Sequence, residues 1–518
     1  MKKNHIFFFI YAFPPLFLLF FFLNKEIELE PGNQYHSTNS SGKDLAMRYC
    51  QMCHIYPDPS LLDKETWTKD VLPNMGMRLG IKHKGQDPYK TLSAIDKKIT
   101  KELNIYPDTP LISKTDWESI VEYYNKEAPK KLPSVNTAVK IDNVEMPFKP
   151  HFLNVGEAKL PKVSLLKFND QTSELFVGDY QKLYAIKWNG DITGNWIINS
   201  PATHMEFRTN LPPLVSTIGN FGPSDQKKGI LSNLYLSENK NILDVHFSNL
   251  KRPVYFASAD LNMDNNLDLI VCNFGNYNGK LSWYENFDQS KEHVLTNQPG
   301  ARRVEIKDMN GDQKPDIVVL MAQAYEQLVI YYNKGNGIFE REKVLEFPPT
   351  HGVSYFEMAD FNGDGFEDVL ISNGDNWDFS KIEKPYHGLR IFLNDKKNNF
   401  SSAFFYPMFG CSKAMARDFD NDGDLDIVAS SFYTDLKDPK KSFVYLTNNG
   451  HLDFTASYLP EAAYGKWMTM EVGDINNDGF LDVMLGSFLM NFTEMGKVFA
   501  STGSNTFPQV LLLTQSAN

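Results

Sequence analysis

Five acidic stretches constrain the fold of this 518-residue chain more than any other feature, because each places oxygen-bearing side chains at its first, third, fifth and ninth positions. They are Asp260, Asn262, Asp264 and Asp268; Asp308, Asn310, Asp312 and Asp316; Asp360, Asn362, Asp364 and Asp368; Asp418, Asp420, Asp422 and Asp426; and Asp474, Asn476, Asp478 and Asp482. Successive stretches start 48, 52, 58 and 56 residues apart, so they mark one unit repeated. A strand-like triplet follows each last aspartate: Leu269-Ile270-Val271, Ile317-Val318-Val319, Val369-Leu370-Ile371, Ile427-Val428-Ala429 and Val483-Met484-Leu485. Repeats of this length with several strands each predict a β-propeller.

Two degenerate copies precede the five. Val163 to Asp179 reproduces the flanking strands without the aspartates, and Val215 to Asn220 matches the approach to Asp474. Seven blades are therefore expected, with the terminal strand Gln509 to Leu513 completing a blade begun near Phe152 so that no long edge stays unpaired.

Oxygen ligands at loop positions 1, 3, 5 and 9 suit a hard cation, and calcium is expected at about five sites. The loops are not EF-hands, since no Glu stands at position 12 and the flanks read as strands. With Glu367 and Asp424 the loops hold eighteen of the 64 acidic residues, leaving 46 against 52 basic ones elsewhere. Such crowding of carboxylates disfavours a folded loop without cations. The alternative is that the aspartates serve only as Asx turns.

The repeats resemble FG-GAP/VCBS-type repeat proteins, the family that includes the integrin α-subunit propeller and some seven-bladed lectins. Asn273-Phe274-Gly275, Gly279-Lys280-Leu281-Ser282-Trp283-Tyr284 and Gly388-Leu389-Arg390-Ile391-Phe392 carry the resemblance beside the acidic loops. It implies a seven-bladed fold and metal binding, but it leaves function open because this propeller serves adhesion, sugar binding and enzyme scaffolding alike.

Near the N-terminus, Cys50-Gln51-Met52-Cys53-His54 is a C-x-x-C-H run, which in an exported protein reads as covalent haem c attachment. Two thiols form thioethers with the porphyrin, and the adjacent imidazole of His54 ligates the iron. Half of a zinc site or a redox dithiol is the alternative; only Cys272 and Cys411 remain elsewhere, and both read as core thiols. Helical spacing surrounds the motif. Lys43 to Tyr49 leads into it, a second helix from Ser60 is expected to stop at Pro73, and Ser113 to Asp116 resembles a capping box before a final helix that should pack across the first. Met75, in an expected Pro/Gly loop, is the first choice for the sixth iron ligand; Met77 and His83 are alternatives. The segment resembles a small class I cytochrome c, which implies a mostly helical fold and electron transfer.

The expected organisation is a signal or membrane anchor over 1–23, a tether over 24–42, the all-α haem domain over 43–128, a Pro-rich linker over 129–150 and the all-β seven-bladed propeller over 151–518. Lys2 and Lys3 precede the apolar run from Ile6 to Leu23, so the rest is expected outside the cytoplasm, in the periplasm or at the cell surface, with the run either kept as an anchor or cleaved. The net charge of −12 argues against nucleic acid as a partner. Three functions remain: an electron carrier whose propeller docks a redox partner protein or another ligand; a dehydrogenase with its substrate site in the propeller; and a lectin or adhesion module fused to a cytochrome. Isolated His204, His351 and His451 read as surface or satisfied residues. Arg252, Arg302, Arg303, Ser412, Lys413 and Lys466 occupy neighbouring phases, so some of them are candidates to converge in the propeller channel.

Overall fold

A computed structural model describes residues 40–83, 85–135, 137, 139–141, 146–235, 242–375, 380, 382–433 and 438–516. The apolar run from Ile6 to Leu23 and the tether up to residue 39 lie outside them. Among the described residues no helix is long and apolar enough to cross a membrane.

Seven four-stranded antiparallel units make up the larger part of the chain, and their first strands contact one another in a closed ring. These seven-residue inner strands are Val163–Asn169, Ala202–Arg208, Pro253–Ala259, Ala301–Lys307, Val353–Ala359, Cys411–Arg417 and Trp467–Gly473, which define blades 1 to 7 in that order. The chain is an all-β seven-bladed propeller over this region.

Closure joins the two ends of the propeller sequence. The outer strand of blade 7 is Phe148–Leu153, which pairs antiparallel with Val510–Gln515 from Phe148 opposite Gln515 to Leu153 opposite Val510. The propeller thus begins at Phe148, inside the expected linker. Lys140–Ile141, also in that linker, pairs in parallel with Thr455 and Ala456 as a fifth strand on blade 6. Open sheet edges invite pairing with other chains, so part of a segment that reads as linker is spent on covering two of them.

Second strands such as Leu269 to Cys272 and Ile317 to Leu320 are buried throughout, because each face packs on a neighbouring blade. That explains their continuous apolar sequence rather than an alternating one. Phe256, Phe356, Phe443 and Trp467 fill the spaces between blades, and the Trp467 indole donates to the Ala462 carbonyl at 2.9 Å. Hydroxyls at the second position of the inner strands bridge blade to blade: Ser164 donates to Ala202, Thr203 to Pro253, Ser354 to Cys411 and Ser412 to Trp467, all at 2.8–3.1 Å.

Blade 2 corrects one expectation. Val215 lies in the second strand, Leu211–Thr217, and does not approach an acidic loop. A tight turn with Asn210 at φ 58° joins it to the inner strand in place of a nine-residue loop.

The N-terminal segment is helical. Gly42–Cys50 starts from a reciprocal capping box between Ser41 and Asp44, and Lys114–Glu127 starts from Ser113, whose hydroxyl accepts the Asp116 N–H. The two pack closely: a Cβ on Gly42 would stand 2.4 Å from the Ser119 carbonyl oxygen. Pro73 does not stop the second helix. Lys64–Thr66, Trp67–Val71 and Leu72–Arg78 run on continuously, with a π-helical middle whose Leu72 N–H donates back to Trp67. That wider turn accommodates a proline that lacks an N–H. Met75 therefore stands on a helix rather than in a loop. Residues 41–518 form one compact unit.

Candidate functional site

Cys50 ends the first helix and is half-buried, Cys53 is exposed, and His54 is half-buried. Burial pushes the Cys50 thiol up to about 11, and burial likewise holds the His54 imidazole below its ordinary value. His54 Nδ1 lies 2.8 Å from the Ile55 carbonyl, which fixes the proton on Nδ1 and leaves Nε2 as the free lone pair. Met75 and Cys50 pack against the same core of Leu45, Trp67, Trp117 and Tyr124. Gly76 permits this, since a Cβ there would come within 2.9 Å of the Trp117 ring. Met77 is half-buried without joining that core, and His83 is exposed.

Antiparallel order places the connections between second and third strands on one face of the propeller and the acidic loops on the other. The helical segment docks on the first of these faces. Asp96, on the helix Ala94–Glu102, accepts from Ser224 Oγ at 2.7 Å, Asp225 N–H at 3.2 Å and Gln226 Nε2 at 2.7 Å, all in the blade 2 connection. Burial works against the Asp96 carboxylate, but bonds from Ser93, Ser224, Gln226 and Asp225 hold it below the usual range. Asp225 continues the tie by accepting three successive N–H groups from Asn276, Tyr277 and Asn278 of blade 3 at 2.8–3.0 Å. In blade 5, Tyr386 donates to the Leu61 carbonyl at 2.9 Å. Arg78 lies over the rings of Tyr106 and Tyr277. Sequence reading missed these docking residues, because a single Asp on a polar helix face carries no periodic signal.

The acidic loops share one local structure. Asp260, Asp308, Asp360, Asp418 and Asp474 each accept the N–H of the residue four positions on, and of the next, through their two oxygens. In blade 6 the carboxylates of Asp418, Asp420 and Asp422 converge, with one oxygen from each lying within 4.8 Å of the others. The ninth-position aspartates have a structural task beyond the expected one. Asp268, Asp316, Asp368, Asp426 and Asp482 are fully buried. Each takes the second loop residue's N–H on one oxygen and an N–H at or just after the end of the third strand on the other, at 2.7–3.3 Å. Cys272 and Cys411 are buried, and burial raises both thiols.

Between the two faces, the third position of the inner strands lines the channel. Across blades 2 to 6 it reads His204, Tyr255, Arg303, Tyr355 and Lys413. His204 stacks on Tyr255 with ring centroids 3.8 Å apart. Arg303 lies 4.9 Å from the Tyr255 centroid and 4.4 Å from that of Tyr355, and Lys413 is 4.9 Å from Tyr355 on its other side. Of the six polar candidates flagged in the sequence, the channel layer takes Arg303 and Lys413. Arg302 and Ser412 turn to neighbouring blades, while Arg252 and Lys466 bond in the connections above. His451 is exposed, in keeping with the surface reading; His204 and His351 are half-buried, and His351 Nδ1 is buried without a partner rather than satisfied.

The sequence profile of the FG-GAP-like repeat matches residues 260–319, 308–371 and 418–485, which together take in all five acidic loops. The chain carries FG-GAP repeats. Each match spans two successive loops, so the sequence unit straddles the blade boundary. Solved structures similar to this FG-GAP propeller chain include the N-terminal domain of Nup159, at 15% identity, 73% coverage of this chain, 98% of that one and a TM-score of 0.41. Saccharomyces cerevisiae Sqt1 matches at 9% identity over 69% of this chain and 84% of that one, with a TM-score of 0.40. The Neurospora crassa Pan2 WD40 domain matches at 9% identity over 69% and 90%, with a TM-score of 0.39.

Proposed function

We propose that this FG-GAP propeller protein is an extracytoplasmic electron-transfer protein with a covalent c-type haem on Cys50 and Cys53. The observation that carries this reading is the bond of His54 Nδ1 to the Ile55 carbonyl directly after the C-x-x-C pair, since it readies Nε2 for a metal. His54 and Met75 would be the protein ligands of the iron, and Met77 and His83 are the alternatives for the second ligand. The bound haem supplies one-electron exchange, with Met/His ligation favouring a raised potential. The protein's own contribution is to anchor the motif on a capped helix, to seat Met75 against the core shared with Cys50, and to fix the whole segment on the propeller through Asp96 and Tyr386.

The propeller is the docking body for a redox partner protein or another ligand, carbohydrate included. Its five acidic loops hold calcium, supported by the convergence of Asp418, Asp420 and Asp422. Calcium there has a structural role, because cations relieve the crowding of carboxylates. The apolar run from Ile6 to Leu23 behind Lys2 and Lys3 supports export to the periplasm or the cell surface, as an anchor that is kept or a signal that is cleaved. An absorbance spectrum of the reduced protein tests the reading: sharp haem bands that survive acidified-acetone extraction are expected, and a protein without them overturns it.

A further inference from the structure

We propose that the propeller channel binds a small organic carboxylate at the layer formed by His204, Tyr255, Arg303, Tyr355 and Lys413. This inference does not depend on the haem assignment.

The layer combines fixed positive charge with polar groups that the fold leaves unspent. Among the described residues, neither the His204 ring nitrogens nor the hydroxyls of Tyr255 and Tyr355 bond a protein group. Arg303 Nε is buried with no hydrogen-bond partner, and its terminal nitrogen reaches Glu305 at 3.1 Å. Lys413 Nζ donates only to the Met470 carbonyl, at 2.6 Å, leaving two N–H groups free. A buried guanidinium donor without a partner costs free energy unless something fills it. The five side chains come from five successive blades, so the site exists only in the closed ring.

Charge in the channel favours an anion. The inner strands carry seven lysines and arginines against four glutamates, and still six against four when Arg302, which turns to the neighbouring blade, is left out, inside a chain of net charge −12. The glutamates stand two residues further along the strands, and two of them are already paired, Glu305 with Arg303 and Glu357 with Arg417. The third-position layer therefore faces the channel with cations and donors. Each tyrosine ring lies between two neighbours, Tyr255 between His204 and Arg303 and Tyr355 between Arg303 and Lys413, which fixes where the hydroxyls stand. Several fixed donors around a guanidinium suit a planar carboxylate, which can accept at both oxygens.

The test is calorimetric titration of the full chain with malonate at low ionic strength, with sodium sulfate as the dianion control. Saturable malonate binding, at least tenfold tighter than sulfate, is expected. Arg303→Gln should weaken it tenfold or more. Because that change removes a buried cation and risks misfolding, Tyr355→Phe serves as the second variant: it keeps the ring against Arg303 and Lys413, and should weaken binding three- to tenfold with an unchanged melt. Absence of saturable binding, equal binding of sulfate, or full affinity in folded Tyr355→Phe and Arg303→Gln proteins would overturn the proposal.

Discussion

The Arg78 guanidinium lies 5.0 Å from the ring centroid of Tyr277, linking the helix that carries Met75 to the blade 3 connection. Tyr277 also meets the Tyr106 hydroxyl at 3.1 Å and holds its backbone N–H on Asp225. The candidate haem motif and the propeller are therefore one mechanical body at this point. A cation–π contact of this kind is worth about 0.5–2 kcal/mol. A double-mutant cycle of Arg78→Ala and Tyr277→Ala, read by hydrogen exchange in the helical segment, should show coupling in that range, and additive effects would show that the contact does not hold the docking.

Haem attachment predicts a spectroscopic split. Met75→Ala should remove the weak charge-transfer band of a ferric thioether complex, while Met77→Ala should leave it. The reverse pattern transfers the ligand role to Met77. Cys50→Ala with Cys53→Ala should release the colour on acid-acetone extraction.

Calcium removal should act on the β-sheet transition and spare the haem bands. A ligand bound only to the folded state stabilises by about 2.7 kcal/mol per site at a hundredfold excess over Kd. A chelator should lower the melting temperature, and Asp420→Asn with Asp422→Asn should blunt that response. An unchanged melt in excess chelator would leave the aspartates as turn residues.

The ninth-position aspartates should behave differently from their loop neighbours. Asp426→Asn places an amide N–H opposite one of two backbone N–H groups, from Phe419 and Asn448, and leaves a buried donor unpaired. The expected loss is about 1–3 kcal/mol, present with and without chelator. A loss that appears only when calcium is present would assign Asp426 to the metal instead.

Glu326 gives the fold a pH dependence. Its side chain is buried at the end of a blade 4 strand and accepts the Gly352 and Val353 N–H groups. Burial raises its carboxyl from 4.5 to about 8. The folded state therefore holds a proton that the unfolded chain gives up, so this contribution is full below about 4.5 and is lost as pH rises through 8. Melting temperature should fall between pH 5 and pH 8 in the parent, and Glu326→Gln should flatten that slope. An identical slope in the variant would assign the effect elsewhere.

The repeat count, the β architecture and the closing of the last blade with a strand near Phe152 were legible because acidic loops and apolar strands recur in phase. The helix start at Ser113 followed from local capping chemistry, which needs only neighbours in sequence. What failed depended on context that a linear pattern does not hold. Pro73 stays helical because a π turn opens the ladder before it, and part of the apparent linker forms strands because the edges of blades 6 and 7 are there to be covered. His204, a lone histidine in sequence, acquires a site because blade closure sets it against Tyr255 and in series with Arg303, Tyr355 and Lys413. The sequence by itself determined the blades, the acidic loops and the C-x-x-C-H motif, since each is written in residues close together. Only the tertiary structure decided the channel layer and the Asp96 docking site, because their members are dozens to more than a hundred residues apart and meet only when the ring closes.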